Sequence, residues 1–216
     1  MSTLSRGSSR LVKNVTALVI GLALVVAMVA STKFLSPAAS AARQPAQFDA
    51  KTYAEKNFPL VAAKIAQKAT DIKVLAPAVD QNLAAAGAKY GNDLGAGQFA
   101  FPVTATGTVT QADTVFLVVS VPGFPAKDTV RIPLDMALSG LPVRDATGSI
   151  KFGDFTDQTD YQSVANEFKI IMQKSVLAPV QPSTLKGKRI TVVGAWGSGG
   201  PPNSYIIQPV SIKVAS

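Results

Sequence analysis

The sequence contains no cysteine and no histidine. Without cysteine it forms no disulfide, offers no thiolate nucleophile and has no sulfur to acylate. Without histidine it has no imidazole base, no Ser-His-Asp triad and no histidine-ligated zinc or haem. Glutamate is almost missing too, with Glu55 and Glu167 the only two, and there is one tryptophan, Trp196. A general base would have to be Asp, Glu, Lys or Tyr. No paired glutamates stand out. The expectation is a protein that is not an enzyme and carries no cofactor and no metal.

What is present in excess is positive charge. The 216 residues hold 21 Lys and Arg against 13 Asp and Glu, a formal +8 that by itself suggests a nucleic-acid binder. The distribution argues otherwise. Residues 1–48 carry Arg6, Arg10, Lys13, Lys33 and Arg43 and no acid, so the remaining chain has a balance of only +3. That is ordinary for a soluble domain.

The tail explains its own charge. Three cations precede residues 14–32, a run of 19 without any charge, and positions 15–30 are almost all Val, Leu, Ile, Ala and Met. A helix of that length rises roughly 28 Å, close to a ~30 Å hydrocarbon core. Apolar regions of signal peptides are shorter, about 7–15 residues. The Ala39-Ser40-Ala41 stretch reads as a cleavage site but lies far beyond the run, so an uncleaved anchor is expected. Three cations before the span against two after it place the N-terminus inside. Residues 1–32 are thus a cytoplasmic tail and transmembrane signal-anchor, and residues 33–48, rich in Ala, Pro and Ser, a linker. The expected location is the bacterial cytoplasmic membrane, crossed once, with the C-terminal part periplasmic and the inner membrane as a partner.

Residues 49–97 read as a helical arm. Asp49 is an N-cap for a helix from Ala50, Pro59 suits the first turn of a second helix over 59–69, Asp71 and Asp80 look like further caps, and Gly91 is a helix stop. From 98 the period changes to two. Phe99, Phe101, Val103, Ala105, Gly107 and Val109 alternate with polar or small residues, then Val115, Leu117, Val119 and Val121 do so again. Val130, Ile132 and Leu134 suggest a third strand, and Ile150 with Phe152 another. Tyr161, Val164, Ala165, Phe168, Ile171, Met172 and Val176 then recur at helical spacing, with Asp157 and Asp160 at the start of that helix. Strands over 189–196 and 205–214 close the chain. Strands, one helix, then two strands is the order of a five-stranded Greek-key barrel of the OB type, with the helix between strands 3 and 4; another small α+β roll has the same order. The fold class is α+β, with the OB-like barrel over 98–216.

The stretch Arg144-Asp145-Ala146-Thr147-Gly148-Ser149-Ile150-Lys151-Phe152-Gly153-Asp154-Phe155, continuing to Gln158 and Tyr161, resembles the signature of an uncharacterised bacterial family, the domain-of-unknown-function 2291 family of predicted periplasmic proteins or lipoproteins. Phe48-Asp49 to Tyr53, Ala88-Lys89-Tyr90-Gly91 and Leu185-Lys186-Gly187-Lys188 are similar to it as well. The resemblance implies an OB fold, a fold on whose strength members have been called nucleic-acid-binding lipoproteins, and genes that often neighbour those of sugar ABC transporters. Components of such a transporter are therefore possible partners, and this chain departs from the lipoprotein form because it lacks a cysteine.

Six residues are candidates for ligand binding: Arg144, Asp145, Asp154, Gln158, Tyr161 and Trp196. Arg144 and Asp145 read as a ligand-reading pair, the guanidinium offering a planar fork. Alternatively Arg144 pairs with Asp154 and orders the strand-to-helix junction. Asp154, Asp157 and Asp160 read either as a cation site or as helix caps, though the calcium-loop pattern is absent. Trp196 opens a Gly-rich loop that is no phosphate loop, since no Gly-Lys-Ser/Thr ends it. It is either a stacking platform for a base or sugar ring or part of a hairpin connection. Lys186, Lys188 and Arg189 lack interleaved aromatics, so nucleic acid is disfavoured. The expected function is a membrane-anchored, non-enzymatic extracytoplasmic module, an accessory to a sugar ABC transporter; the alternative is an OB-type binder of oligonucleotide or oligosaccharide.

Overall fold

The computed structural model describes residues 7–32, 48–135 and 142–215. The chain divides into two units, Met1–Gln47 and Phe48–Ser216. The linker expected at 33–48 lies outside the described residues except for Phe48, as do the first six residues of the tail.

In the first unit, helix α1 (Gly7–Ser31) contains the apolar stretch Val12–Ser31, long and apolar enough to cross a membrane. The hydroxyls of Thr16, Ser31 and Thr32 bond back to carbonyls one turn earlier. Thr16 donates to the carbonyl of Val12 and Thr32 to that of Met28. Hydrocarbon solvates no free polar group, so this internal pairing suits a spanning segment.

The second unit begins with α2 (Ala50–Lys68), capped by Asp49, whose carboxylate accepts the Thr52 N–H at 3.0 Å. The sequence predicts two helices here, broken at Pro59. Instead Pro59 lies inside one helix. Ala54, Phe58, Val61 and Ile65 form an unbroken buried stripe through it, while Pro59 itself is exposed, so the carbonyl it leaves unpaired can meet water. Packing of the apolar face outweighs the proline penalty.

β1 (Thr70–Asp71) is followed by α3 (Ile72–Gln81) and α4 (Leu83–Tyr90). Asp71 caps α3 as expected, but Asn82, not Asp80, caps α4. Asp80 sits in the last turn of α3 and pairs with Lys127 at 2.8 Å. Gly91 ends α4, its N–H bonded to Gly87. Residues 49–97 are thus no separate arm: they pack on the barrel within one unit.

The barrel is made of β3 (Gln98–Ala112), β4 (Phe116–Ser120), β5 (Thr129–Pro133), β6 (Arg189–Gly197), β7 (Ser204–Ile206) and β8 (Gln208–Val214), with β2 (Asn92–Gly95) and β1 paired to the start of β3. The expected last strand is one strand in two parts. β7 runs parallel to β5, Ile207 donates its N–H to Arg131, and β8 runs antiparallel to β6. The chain therefore joins both ends of the sheet and nearly closes it, in the strand order of an OB barrel. Gly194 makes the closure possible, because a Cβ there would lie 2.0 Å from the carbonyl oxygen of Gln208.

Between β5 and β6 come α5 (Pro142–Asp145), a 3-10 turn (Phe152–Asp154), α6 (Gln158–Met172) and a π turn (Gln173–Leu177). The strand expected at Ile150 and Phe152 is absent: Ile150 is buried in the core and Phe152 opens the 3-10 turn. Inward residues of the strands, including Phe101, Val103, Leu117, Ile132, Ile190 and Val192, meet α2 and α6 in one core, with Phe58 edge-on to Phe168 at 5.3 Å.

Candidate functional site

Three local structures converge at one end of the core. α5 is a single turn, and the chain leaves it through Gly148, whose N–H bonds to the carbonyl of Asp145. Gly148 has φ +62°, and a Cβ on it would meet Asn92 Oδ1 at 2.7 Å. Only glycine combines that backbone with that approach. α6 starts at Gln158 under the cap of Asp157, which accepts the Asp160 N–H at 2.9 Å. Tyr161 follows in that helix's first turn.

Arg144 and Asp145 are only 6% and 8% exposed. The guanidinium grips its sequence neighbour with two bonds, Nε to Oδ1 at 2.6 Å and Nη2 to Oδ2 at 3.0 Å. Nη1 donates to the carbonyl of Tyr161 at 3.0 Å, and the guanidinium carbon lies 3.4 Å from the centre of the Tyr161 ring. The Tyr161 hydroxyl donates to Asp145 Oδ1 at 2.9 Å, and Asn92 Nδ2 donates to the Asp145 carbonyl. Each group holds the next: charge on charge, phenol on carboxylate, cation on ring. Burial, and then the Asp145 carboxylate, push the Tyr161 phenol up to about 12. It therefore remains a protonated donor at neutral pH and offers no base.

This cluster floors an open cleft of about 630 Å³. Asn92, Gln158 and Gln162 supply amides to its walls, Lys151 an ammonium, and Phe152, 55% exposed, an aromatic edge-on to Tyr161 at 5.6 Å. A chain of rings, Phe48, Tyr53, Phe155 and Tyr161, ties the start of α2 to it, with neighbouring centroids 5.4–5.6 Å apart.

Of the six predicted residues, Arg144, Asp145, Gln158 and Tyr161 line this one cleft. Asp154 does not. It is exposed and caps the 3-10 turn by accepting the Lys151 N–H at 2.9 Å, so the expected Arg144–Asp154 pair is replaced by Arg144–Asp145. Asp154 and Asp157 both act as caps, and no cluster of three metal-ligating side chains occurs among the described residues. Trp196 is corrected as well. It is 7% exposed, stacked on Phe101 at 5.3 Å and packed against Tyr205 at 4.8 Å, so it belongs to the core and is no external platform. Asn92 and Phe152 were missed. Asn92 reaches the cleft because β2 folds back on β3 in a tight hairpin through Gly95-Ala96-Gly97, a turn the glycines mark in the sequence, while its partner Asp145 lies 53 positions on.

The profile of a family described as predicted periplasmic lipoproteins (DUF2291) matches residues 22–213. The chain belongs to this family. Members are of unknown function, and the DUF2291 protein described here has no cysteine to carry a lipid. Its fold is similar to that of an OB-fold protein from Thermotoga maritima, with a TM-score of 0.63 at 17% identity over 78% of this chain and 99% of that one. No curated protein sequence matches it. The family and the apolar helix together describe an extracytoplasmic protein with a helix fit to anchor it.

Proposed function

We propose that this DUF2291 protein is a non-enzymatic binding module held to the cytoplasmic membrane by α1, with its N-terminus inside and the OB unit in the periplasm. It binds a small polar ligand in the cleft over Arg144, Asp145 and Tyr161. The observation that carries this reading is the combination of a buried, mutually neutralised ion pair with a roomy cleft walled by the amides of Asn92, Gln158 and Gln162, where the two other charges, Lys151 and Asp93, are of opposite sign. Sites of this kind fix an uncharged polar molecule by hydrogen bonds on a rigid floor. The resemblance to proteins encoded beside sugar ABC transporters supports a role as accessory to such a transporter, with a sugar as the ligand. Calorimetric titration of the full chain in detergent with a panel of monosaccharides tests it. Binding that Gln158→Ala and Phe152→Ala weaken at least tenfold is expected. No heat with any sugar, or binding indifferent to both variants, would remove the cleft from consideration.

A further inference from the structure

The charges of the second unit are sharply segregated along the chain. All 13 acids of the sequence lie at or before Glu167. After it come Lys169, Lys174, Lys186, Lys188, Arg189 and Lys213, with no acid at all, and β3 carries no charged residue. The sheet register gathers most of these cations. Arg189 lies opposite Thr108 of β3, Lys213 lies opposite Thr191, and the carbonyl of Lys188 accepts the Val109 N–H. Arg189 and Thr191 are two apart on β6 and so share a face, which places Arg189 and Lys213 diagonally across the outer side of β6 and β8. Lys186, Lys188, Arg189 and Lys213 are all exposed. The ion pairs among the described residues, Lys73–Asp71, Lys127–Asp80 and Arg144–Asp145, involve none of them.

Beside this patch runs a groove of about 400 Å³, between β8 and the π turn. Val176, Val180, Leu185 and Ile212 supply its apolar side, and polar groups, those of Gln181 and Thr184 among them, supply as much of its lining. Val214, 50% exposed, extends it, and Lys174 stands exposed on the turn that forms its wall. Lys174, Lys186 and Lys213 each adjoin a lining residue in the chain, with Lys213 on the other face of β8 from Val210 and Ile212, and a half-apolar groove with cations at its edge matches a molecule that joins an apolar chain to an anionic head.

We propose that this groove and its cationic border dock on anionic phospholipid of the membrane that holds α1. The proposal rests on the reading of α1 as an uncleaved anchor. Residues 33–47 separate the two units, and so short a segment reaches at most roughly 50 Å even fully extended, so the bilayer surface is the polyanion always within reach. Juxtamembrane cations gain about a factor of five each from an anionic leaflet. Nucleic acid fits poorly, since the only aromatics after Phe168 are Trp196 and Tyr205, both buried, and none is left for stacking on bases.

The absence of cysteine gives a clean test. Val214→Cys, labelled with an environment-sensitive fluorophore, is placed by its full chain in nanodiscs of phosphatidylcholine alone or of phosphatidylcholine with phosphatidylglycerol. A second label at Ala126→Cys, in the loop before β5, serves as control. The Val214 label should shift to the blue only in the anionic discs, and high salt should reverse the shift. Replacing Lys186, Lys188, Arg189 and Lys213 singly by Gln should lower the docked fraction ratio about fivefold each. The four sites are exposed, so folding, read from Trp196 emission, should be intact even in the fourfold variant. Equal shifts in both kinds of disc, equal shifts of the Ala126 label, or a fourfold variant that still docks would overturn the proposal. So would an equal shift with soluble polyglutamate in neutral discs, which would assign the groove to an acidic protein.

Discussion

Removing one partner of the Arg144–Asp145 pair should destabilise the unit far more than removing both. Asp145 accepts two bonds from the guanidinium and one from the Tyr161 hydroxyl, and both charged residues are more than nine-tenths buried. Asp145→Leu therefore strands a desolvated cation and an unpaired phenol, and Arg144→Met strands a desolvated carboxylate. Each loss should be about 3–5 kcal/mol. The double variant removes both charges and leaves apolar side chains of similar bulk, so its loss should be no more than about 2 kcal/mol, the residue being imperfect packing. The coupling between the two sites is then several kcal/mol and favourable. Trp196 is the single tryptophan and lies in the core against Phe101 and Tyr205, so its emission reports unfolding of the barrel. Urea titration of the unit Phe48–Ser216, whose core is complete within it, gives the four corners of the cycle. Single variants within about 1 kcal/mol of the wild type, or a double variant as damaged as the sum of the singles, would refute the account of the pair as a mutually dependent charge cluster.

Two further outcomes follow from the same geometry. The phenols of Tyr161 and Tyr205 are both raised from 10.0 to about 12, chiefly by burial. A group whose folded value is raised gives its full contribution below the unfolded value, so stability should be level up to about pH 10 and fall as pH climbs towards 12; Tyr161→Phe should flatten part of that fall, and a urea midpoint that holds steady through this window would contradict it. Pro59→Ala should raise stability by about 1–2 kcal/mol, because an alanine restores a helix bond in α2 while giving up only the proline's restraint on the unfolded chain. A loss on the same urea titration would mean that α2 is built as two helices after all.

What could be read from the sequence was whatever short-range spacing determines. Strands β3, β4 and β6 alternate with a period of two over five or more residues, and α6 repeats at three and four, so their faces followed from position alone. Asp49, Asp71 and Asp157 were legible as caps for the same reason: a cap acts within three residues. The failures share one cause, a distant partner. Pro59 reads as a helix start until its neighbours Ala54, Phe58, Val61 and Ile65 are seen packed on one core. Asp80 reads as a cap until Lys127, 47 residues on, takes its carboxylate. Trp196 reads as a platform because it adjoins a Gly-rich loop, yet Phe101 and Tyr205 from two other strands cover it. The cleft lies between these cases. Its floor is local, since Arg144 meets Asp145 next door and Tyr161 lies only one short connection away in the chain. Its walls depend on β2, which reaches Asp145 through a bond spanning 53 positions. A sequence therefore exposes the chemistry of such a site before its shape. The shape is what separates a pair sealed in the core from the floor of an open cleft, since the same Arg144–Asp145–Tyr161 contacts would be sealed if Asn92, Phe152 and Gln158 closed over them.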